Sequence, residues 1–307
     1  MILRLVILAM LHGLLSACNL VSDRRPADAS TSIILATTLR EWQPTDTPDA
    51  VILGLHSFGD YGAAFDTLGP YFAEAGHLLV SYDQAGFGER SQQGKWAGEK
   101  QLVSEAVAQI EHLYERYQRP VFLIGESLGG AVAILAALKV PEKVAGIALA
   151  GPAVREGIRL RYGWNAAIAS AAFIAPGYRL TVDRQPDDPT LAAHSAQRLA
   201  NDPRVIRNVR MDSYWGLIQL ADNASDRAPA LTTPSLLLYG GRDNSVPEAG
   251  IQHLRAHLAD RGEYRFYPQG PHLLLQGAQW QTVADDILDW IARTRTEIGL
   301  TGRAPCC

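Results

Sequence analysis

Hydrophobic and polar residues follow each other along this chain in a pattern that predicts alternating strands and helices. Short, continuous apolar runs are typical of strands that are buried on both faces, and the segments between them carry apolar residues at three- to four-residue spacing. Strands are expected near 33–42, 50–55, 77–82, 120–124, 144–150, 234–239 and 263–267. Helices are expected near 61–75, 99–117, 129–139, 247–260 and 279–294. This order favours an α/β fold with a mostly parallel sheet flanked by helices.

Residues 153–228 do not follow this alternation of strands and helices, because their pattern is helical and no buried strand interrupts it. The chain therefore divides into a core of residues 33–152 and 229–293, an insertion of residues 153–228 and a C-terminal tail of residues 294–307. Apolar side chains of the insertion are candidates to line a pocket, although packing within the insertion is the commoner role for each. They are Trp164, Phe173, Ile174, Tyr214, Trp215, Leu217 and Ile218.

The strongest candidate chemistry lies in the segment Gly-Glu-Ser-Leu-Gly-Gly at 125–130. It follows a predicted strand and opens a predicted helix, and glycines two residues before and after Ser127 leave room for a tight turn that exposes the serine. This arrangement is typical of a serine nucleophile. The alternative is an ordinary turn in which Ser127 caps the helix. A phosphate-binding loop is excluded, because Ala131 and Val132 stand where lysine and serine or threonine are needed.

A serine nucleophile needs a base and an acid that orients the base. Asp243 directly follows the strand predicted at 234–239, and His272 follows the strand predicted at 263–267. The carboxyl ends of parallel strands meet at one edge of a sheet, so both side chains are expected near Ser127. Of the eight histidines, only His272 follows Asp243 in a loop after a strand. Taken singly, Asp243 could cap its own turn and His272 could be a solvated loop residue.

Stabilisation of a negatively charged intermediate needs two further N–H donors. One candidate is the backbone N–H of Leu128, directly after the serine, and the other is that of Phe58, in the loop after the strand predicted at 50–55. The alternative is that His56 and Gly59 only shape a turn there.

Five segments together resemble the monoacylglycerol lipase and lysophospholipase branch of the α/β-hydrolases, over roughly residues 33 to 293. They are His56–Tyr61, Tyr82–Gly88, Gly125–Gly130, Gly241–Pro247 and Pro271-His272. The resemblance implies an α/β-hydrolase fold with a helical cap over residues 153–228. It also implies Ser127 as nucleophile, Asp243 as acid, His272 as base, and Phe58 and Leu128 as donors of the oxyanion hole. Two residues depart from the family pattern: Ser57 replaces a glycine that can use positive φ, and Ala85 replaces an arginine with a mainly structural role.

The front of the chain has the pattern of a bacterial lipoprotein signal. An apolar core from Leu5 to Leu15 is too short to span a membrane, and Leu15-Ser16-Ala17-Cys18 resembles the box at which such signals are cleaved and the cysteine is acylated. Residues 1–17 are therefore expected to be the signal peptide, Cys18 the lipid attachment site and residues 18–32 a polar tether. This predicts a periplasm-facing protein of the bacterial cell envelope. The alternatives are a buried N-terminal helix or a plain secretory signal.

Composition limits the classes of partner that the protein is expected to bind. The formal net charge is −4 and no basic run extends beyond Arg24-Arg25, so nucleic acid is not an expected partner. No metal or cofactor motif is recognised, and serine acyl transfer needs neither. Cys306 and Cys307 are adjacent near the end of the chain, which favours a loose tail over a metal site or a strained disulfide and leaves intermolecular pairing open.

These observations favour a membrane-tethered serine carboxylic-ester hydrolase that acts on lipid-like monoesters. A thioesterase or an acyltransferase on the same fold is the alternative, although His56 and Asp60 are one residue too close for the H-x₄-D motif of one acyltransferase class. A catalytically idle lipoprotein that uses the fold as a binding module is a third hypothesis. The complete set of Ser127, Asp243 and His272 argues against it.

Overall fold

A seven-stranded, mostly parallel sheet forms the centre of the computed structural model, which describes residues 39–155, 162–258 and 261–300. The sheet has the order β1-β3-β2-β4-β5-β8-β9, and β1 is its antiparallel edge strand. Two further strands, β6 and β7, pair with each other in the insertion. The strands are β1 Leu39–Trp42, β2 Val51–Leu55, β3 Leu78–Tyr82, β4 Val121–Glu126, β5 Val144–Ala150, β6 Arg179–Thr181, β7 Asn208–Arg210, β8 Ser235–Gly240 and β9 Gly262–Tyr267.

The helices flank the sheet and fill the insertion. They are α1 Leu68–Glu74, α2 Glu99–Tyr117, α3 Leu128–Ala137, α4 Tyr162–Ile174, α5 Ala193–Asn201, α6 Met211–Arg227, α7 Glu248–Leu258 and α8 Trp280–Glu297. The helix predicted at 61–75 is broken into a 3-10 turn at Gly62–Phe65 and α1, and the Gly62 N–H at the start of the turn donates to the Asp83 side chain at 2.9 Å. Helix α8 extends to Glu297, so the first residues of the predicted tail are helical, and Cys306 and Cys307 lie outside the described residues.

The continuous apolar runs of the strands are buried because helices cover both faces of the sheet. In β4, Val121 and Leu123 face one hydrophobic core with α2 and α3, whereas Phe122 and Ile124 face a second core with α1 and α8. Strand β2 alternates in the same way. Because these strands are buried on both faces, they form unbroken apolar runs in the sequence, whereas amphipathic strands alternate apolar and polar residues. The mostly parallel sheet with helices on both faces confirms the expected fold class.

The insertion between β5 and β8 contains α4, α5 and α6 and also the antiparallel ribbon of β6 and β7. The ribbon was not predicted, since each of its strands has only three residues, which is too short for an alternating pattern to be recognised. Helix α6 joins the insertion to the core, because Leu220, Ala221 and Ala224 pack in the same cluster as α3.

The predicted signal peptide, Cys18 and the tether lie outside the described residues. In the part of the chain that is described, no helix is both long enough and apolar enough to cross a membrane. Within the same residues, no group of three or more histidine, cysteine, aspartate or glutamate side chains could hold a metal ion.

Candidate active site

Ser127 occupies a sharp turn between β4 and α3, where the glycine spacing predicts it. Its backbone angles, φ 53° and ψ −114°, lie in a region that residues with a side chain rarely adopt. A Cβ on Gly125 would lie 2.5 Å from the Gly129 carbonyl oxygen, and one on Gly129 would collide with the Leu55 carbonyl oxygen. Only glycines permit this close approach of β4, α3 and β2. The turn therefore holds the serine at the carboxyl edge of the sheet, beside the first turn of α3.

His272 connects Ser127 with Asp243 in one hydrogen-bonded chain. Its Nε2 lies 2.9 Å from Ser127 Oγ, and its Nδ1 lies 2.8 Å from Asp243 Oδ2. The Asp243 side chain is fully buried, and its Oδ1 accepts the backbone N–H groups of Ser245 and Val246 at 2.8 and 2.9 Å. These two bonds orient the carboxylate so that Oδ2 faces the imidazole. Asp243 thus caps its own turn and contacts His272 at the same time.

Phe58 and Leu128, the two expected oxyanion donors, both present a free backbone N–H. Among the described residues, neither donates to a protein acceptor in a loop, turn or cap. Leu128 is the first residue of α3, and the first N–H groups of a helix have no acceptor within it. Phe58 lines the cavity that also contains Ser127. Both N–H groups are therefore available to a bound oxygen atom.

Ser57 carries no left-handed strain although the related family has glycine at this position. Among the described residues, the only non-glycine residues with positive φ are Gln92, Gln118 and Ser127. The positive φ in this turn is taken by Gly59, at 80°. The serine is therefore compatible with the backbone of the Phe58 turn.

His56 holds the Phe58 turn through both ring nitrogens. The Gln84 N–H donates to His56 Nε2 at 3.0 Å, so Nε2 carries no proton. Nδ1 then carries the proton and donates to the Ser57 carbonyl oxygen at 2.9 Å. Burial lowers the pKa of this imidazole, which keeps it neutral. His56 has a structural role in these contacts, as the alternative interpretation of the sequence allowed.

The turn around Ala85, where the family has arginine, is held by another guanidinium. The Ala85 N–H donates to the buried Glu105 carboxylate at 3.1 Å. Arg90 pairs with Glu105 at 2.7 Å and donates to the Asp83 carbonyl oxygen at 3.2 Å. Glu105 therefore has a charged partner in Arg90, although alanine replaces the arginine of the family at position 85.

A buried polar network that the sequence pattern did not predict joins the insertion to the loops of the candidate site. Arg198 of α5 donates from Nη1 and Nη2 to the two oxygens of Asp60, at 2.6 and 2.8 Å. Arg198 also donates to Gln276 Oε1 at 2.7 Å, and Gln276 Nε2 donates to Asp60 at 3.1 Å and to Glu126 at 2.9 Å. Glu126 directly precedes Ser127, and Asp60 lies two residues after Phe58. One network therefore connects the segment before Ser127, the Phe58 turn and the loop of His272.

The pKa values of the two carboxyl groups in this network, those of Asp60 and Glu126, are shifted in opposite directions. Burial would raise the pKa of Asp60, but its ion pair with Arg198 holds that pKa below the ordinary value. Glu126 has no cation of its own in this network, and burial raises its pKa to about 7 against hydrogen bonds from Gln276 and the Leu275 N–H. Asp60 is therefore charged at neutral pH, whereas Glu126 titrates there.

A cavity of about 430 Å³ opens onto the Ser127 hydroxyl and His272. Its walls combine residues of the core loops with residues of the insertion. The described lining residues are Ser57, Phe58, Ser127, Ala153, Val154, Arg155, Asn165, Ile168, Val182, Arg184, Tyr214, Leu217, Ile218, Ala221, Asn244, Ser245, Val246, Pro247, His272 and Leu273.

Some of the predicted pocket residues line this cavity and others do not. Tyr214, Leu217 and Ile218 are in its wall. Phe173 and Ile174 instead lie at the end of α4 with 89% and 80% of their surface exposed, so the expectation that they line the pocket is wrong. Trp215 packs against the small cluster around Ile168, Ala172 and Met211, and the Trp164 side chain lies outside the described residues.

Comparison with known proteins places this chain in a family. Residues 46–279 match the Hydrolase_4 family, described as serine aminopeptidase, S33. The chain is 25% identical to a monoacylglycerol lipase of Mycolicibacterium smegmatis over 260 residues, which cover 81% of this chain and 90% of that protein. It is 28% identical to the monoglyceride lipase of Rattus norvegicus over 69% of this chain and 71% of the relative. It is 26% identical to phospholipase YtpA of Bacillus subtilis over 67% of this chain and 80% of the relative.

Solved structures agree with the fold. The monoacylglycerol lipase of Paleococcus ferrophilus superposes with a TM-score of 0.69 at 21% identity, covering 84% of this chain and 99% of that one. A soluble variant of the Saccharomyces cerevisiae monoglyceride lipase superposes with a TM-score of 0.70 at 17% identity, covering 84% of this chain and 92% of that one. With the family match over most of the chain, these findings show that the chain belongs to the Hydrolase_4 family and is a serine hydrolase of the α/β-hydrolase fold, similar to monoacylglycerol lipases.

Proposed function

We propose that this protein hydrolyses lipid-like carboxylic monoesters through Ser127, His272 and Asp243. The observation that carries the proposal is the hydrogen-bonded chain from Asp243 through His272 to Ser127, which opens into a partly apolar cavity. The cavity is large enough for a small lipid, and the relatives named above as monoglyceride lipases support this substrate class.

The mechanism follows from the positions of the atoms. Ser127 Oγ attacks the ester carbonyl carbon while His272 Nε2 takes the serine proton. The buried Asp243 carboxylate accepts a hydrogen bond from the Nδ1–H and stabilises the imidazolium that forms. The backbone N–H groups of Phe58 and Leu128 bind the carbonyl oxygen as it becomes negative. His272 then protonates the leaving alcohol, and water, deprotonated by His272, releases the acid from the acyl-enzyme.

Labelling with a fluorophosphonate tests the nucleophile. Wild-type protein should form a covalent adduct on Ser127, and Ser127→Ala should lose both the adduct and the hydrolysis of p-nitrophenyl butyrate. Ser104→Ala is the matched control, since Ser104 lies in α2 away from the cavity, and it should keep both. Persistent labelling of a folded Ser127→Ala protein, or an adduct that maps to another serine, would contradict the proposal.

We also propose that the enzyme is lipid-anchored at Cys18 and faces the periplasm of a bacterial envelope. The apolar stretch from Leu5 to Leu15 and the following Leu-Ser-Ala-Cys support this proposal. Acyl chains on one cysteine, together with contact of the protein with the bilayer, hold a protein more firmly than a single chain does. The exposed apolar side chains Phe173 and Ile174 are suited to such contact.

Growth of a bacterial host with an alkynyl palmitate analogue tests the anchor. Wild-type protein should incorporate the label and fractionate with membranes. Cys18→Ser should not incorporate the label, and the enzyme should be released or mis-processed. Hydrolysis of a soluble short ester should be similar for both proteins, because the predicted tether separates Cys18 from the core. Absence of label on the wild type would refute the anchor and leave the hydrolase proposal unaffected.

A further inference from the structure

Arg184 places a positive charge in the cavity that contains Ser127. It follows β6 in the insertion and is half-buried. No residue of the described chain forms an ion pair or a hydrogen bond with its guanidinium. The other arginine of the cavity wall, Arg155, is different, because it pairs with Asp222 at 3.3 Å and donates to Asn165 at 3.3 Å. Arg184 is therefore the uncompensated cation of the described cavity wall.

The surroundings of Arg184 do not cancel this charge. No aspartate or glutamate is among the described residues that line the cavity. The nearest acids in sequence have other partners, since Asp183 accepts from Gln185 at 2.6 Å and Asp188 accepts from the Thr190 N–H at 2.9 Å. The neutral wall residues with polar groups, such as Asn244, add donors and no negative charge.

An unpaired guanidinium beside an apolar wall is suited to bind an ester that has both an acyl chain and an anionic group. Guanidinium groups bind phosphate and carboxylate through two parallel hydrogen bonds, and they do so more strongly where water is partly excluded. The wall also has side chains suited to an acyl chain, among them Ile168, Leu217 and Ile218. A neutral glycerol head group would leave the cation without a partner.

We propose that the preferred substrates are monoacyl esters whose alcohol portion carries an anion such as a phosphate, and that Arg184 binds this anion. The proposal rests on the proposed function, because it assigns the head group of the ester that Ser127 attacks. It makes Arg184 a specificity-determining residue.

The test compares two soluble esters that differ only by one phosphate group, 1-decanoylglycerol and 1-decanoylglycerol 3-phosphate. Values of kcat/KM are measured at low ionic strength for the wild type, Arg184→Gln, Arg184→Lys and Arg179→Gln. Arg179 is the matched control, since it is an exposed arginine of β6 outside this cavity and its Nη1 donates to the Asn208 carbonyl oxygen.

We expect the wild type to prefer the phosphate ester by about tenfold or more, since hydrogen bonds between charged groups are worth roughly that factor or a larger one. Arg184→Gln should lose this preference, with a larger fall in kcat/KM for the phosphate ester than for the neutral ester. Arg184→Lys should recover part of the preference, because it keeps the charge without the bidentate geometry. Arg179→Gln should behave as the wild type, and 0.5 M salt should weaken the preference.

Equal losses on both esters in Arg184→Gln, or a wild type that prefers the neutral ester, would overturn the proposal while leaving the hydrolase function intact. If the wild type hydrolyses neither ester, the proposed function fails for this substrate class. Calorimetric titration of Ser127→Ala with 1-decanoylglycerol 3-phosphate then decides the inference separately. Binding that weakens about tenfold in Ser127→Ala/Arg184→Gln supports it, and binding that is absent or independent of Arg184 refutes it.

Discussion

Arg198 and Asp60 form a bidentate ion pair across 138 residues of sequence, with N–O distances of 2.6 and 2.8 Å. Asp60 is 1% exposed and belongs to the turn of Phe58, whereas Arg198 belongs to helix α5 of the insertion. The pair therefore fixes the insertion against the loop of Phe58, the proposed oxyanion donor. Its removal should affect stability and chemistry together.

We expect Arg198→Gln to destabilise the fold by about 3 kcal/mol, because it leaves the Asp60 carboxylate buried without its cation. Displacement of the Phe58 turn should also lower kcat for p-nitrophenyl butyrate more than it raises KM. Urea unfolding and steady-state kinetics measure the two effects. The double variant Arg198→Gln/Asp60→Asn should recover part of the lost stability, and strictly additive losses would show that the pair is not coupled.

Glu126 should make stability depend on pH near neutrality. Burial raises its pKa from an ordinary value of 4.5 to about 7 in the folded protein. Between these values the folded state binds the proton more tightly than the unfolded state does, so this contribution to stability is complete below about pH 4.5 and is lost as the pH rises through 7. The full loss corresponds to about 3 kcal/mol.

Urea unfolding of the wild type and of Glu126→Gln from pH 5 to 8.5 checks this dependence. The difference in stability between the two proteins should change across this range, because the variant cannot release a proton at this position. Glu263→Gln is the control, since Glu263 lies on β9 and pairs with Arg293 on a more exposed part of the surface. Parallel pH profiles for the wild type and Glu126→Gln would contradict the assignment.

Ser127 and His272 should act as a unit. Each single alanine variant is expected to lose roughly four to six orders of magnitude in kcat, and the double variant little more, because removal of either partner already abolishes activation of the nucleophile. Kinetics with p-nitrophenyl butyrate, with circular dichroism to verify folding, provide the measurement. Losses that multiply in the double variant would mean that His272 is not the base for Ser127.

The Phe58 turn provides a matched pair of backbone variants. Ser57→Gly should change kcat by less than about twofold, because Ser57 has no positive φ for a glycine to relieve. The main effect of the glycine is to increase the conformational entropy of the unfolded chain. Gly59→Ala should be damaging, since φ is 80° there and a Cβ would lie 3.0 Å from the Ile206 carbonyl oxygen. We expect it to cost about 1 to 3 kcal/mol of stability and to lower kcat. A stable, fully active Gly59→Ala enzyme would show that this turn adapts freely.

The residues of the proposed active site could be located from sequence because their signals are local. The glycines around Ser127 restrict the backbone within a few residues. Asp243 follows the apolar run of β8, and His272 follows the short strand β9, so the end of each strand sets the position of the residue. Strands were recognisable for the same reason, since burial on both faces leaves an unbroken apolar run. These features depend on neighbours in sequence and on a single well-defined sheet edge.

The network of Arg198, Gln276, Asp60 and Glu126 has no such signal. Each residue taken singly is an ordinary polar residue, and its burial depends on how the insertion folds back onto the core. The β6–β7 ribbon also lacks a clear signal, because strands of three residues are too short to show a recognisable alternation. The exposure of Phe173 and Ile174 reverses the usual rule that apolar residues point inward, and no pattern in the helix distinguishes them from core residues.

The Arg198–Asp60 pair also limits how enzymes of this architecture can be recombined. An insertion transplanted from a relative to alter substrate choice would leave Asp60 buried without a cation unless the donor segment carries an arginine at the place of Arg198. A chimera made at the boundaries of the insertion should therefore include position 60 with residues 162–227, or replace Asp60 with a neutral residue. In such grafts, the loop of the proposed oxyanion donor Phe58 and the insertion should be exchanged together.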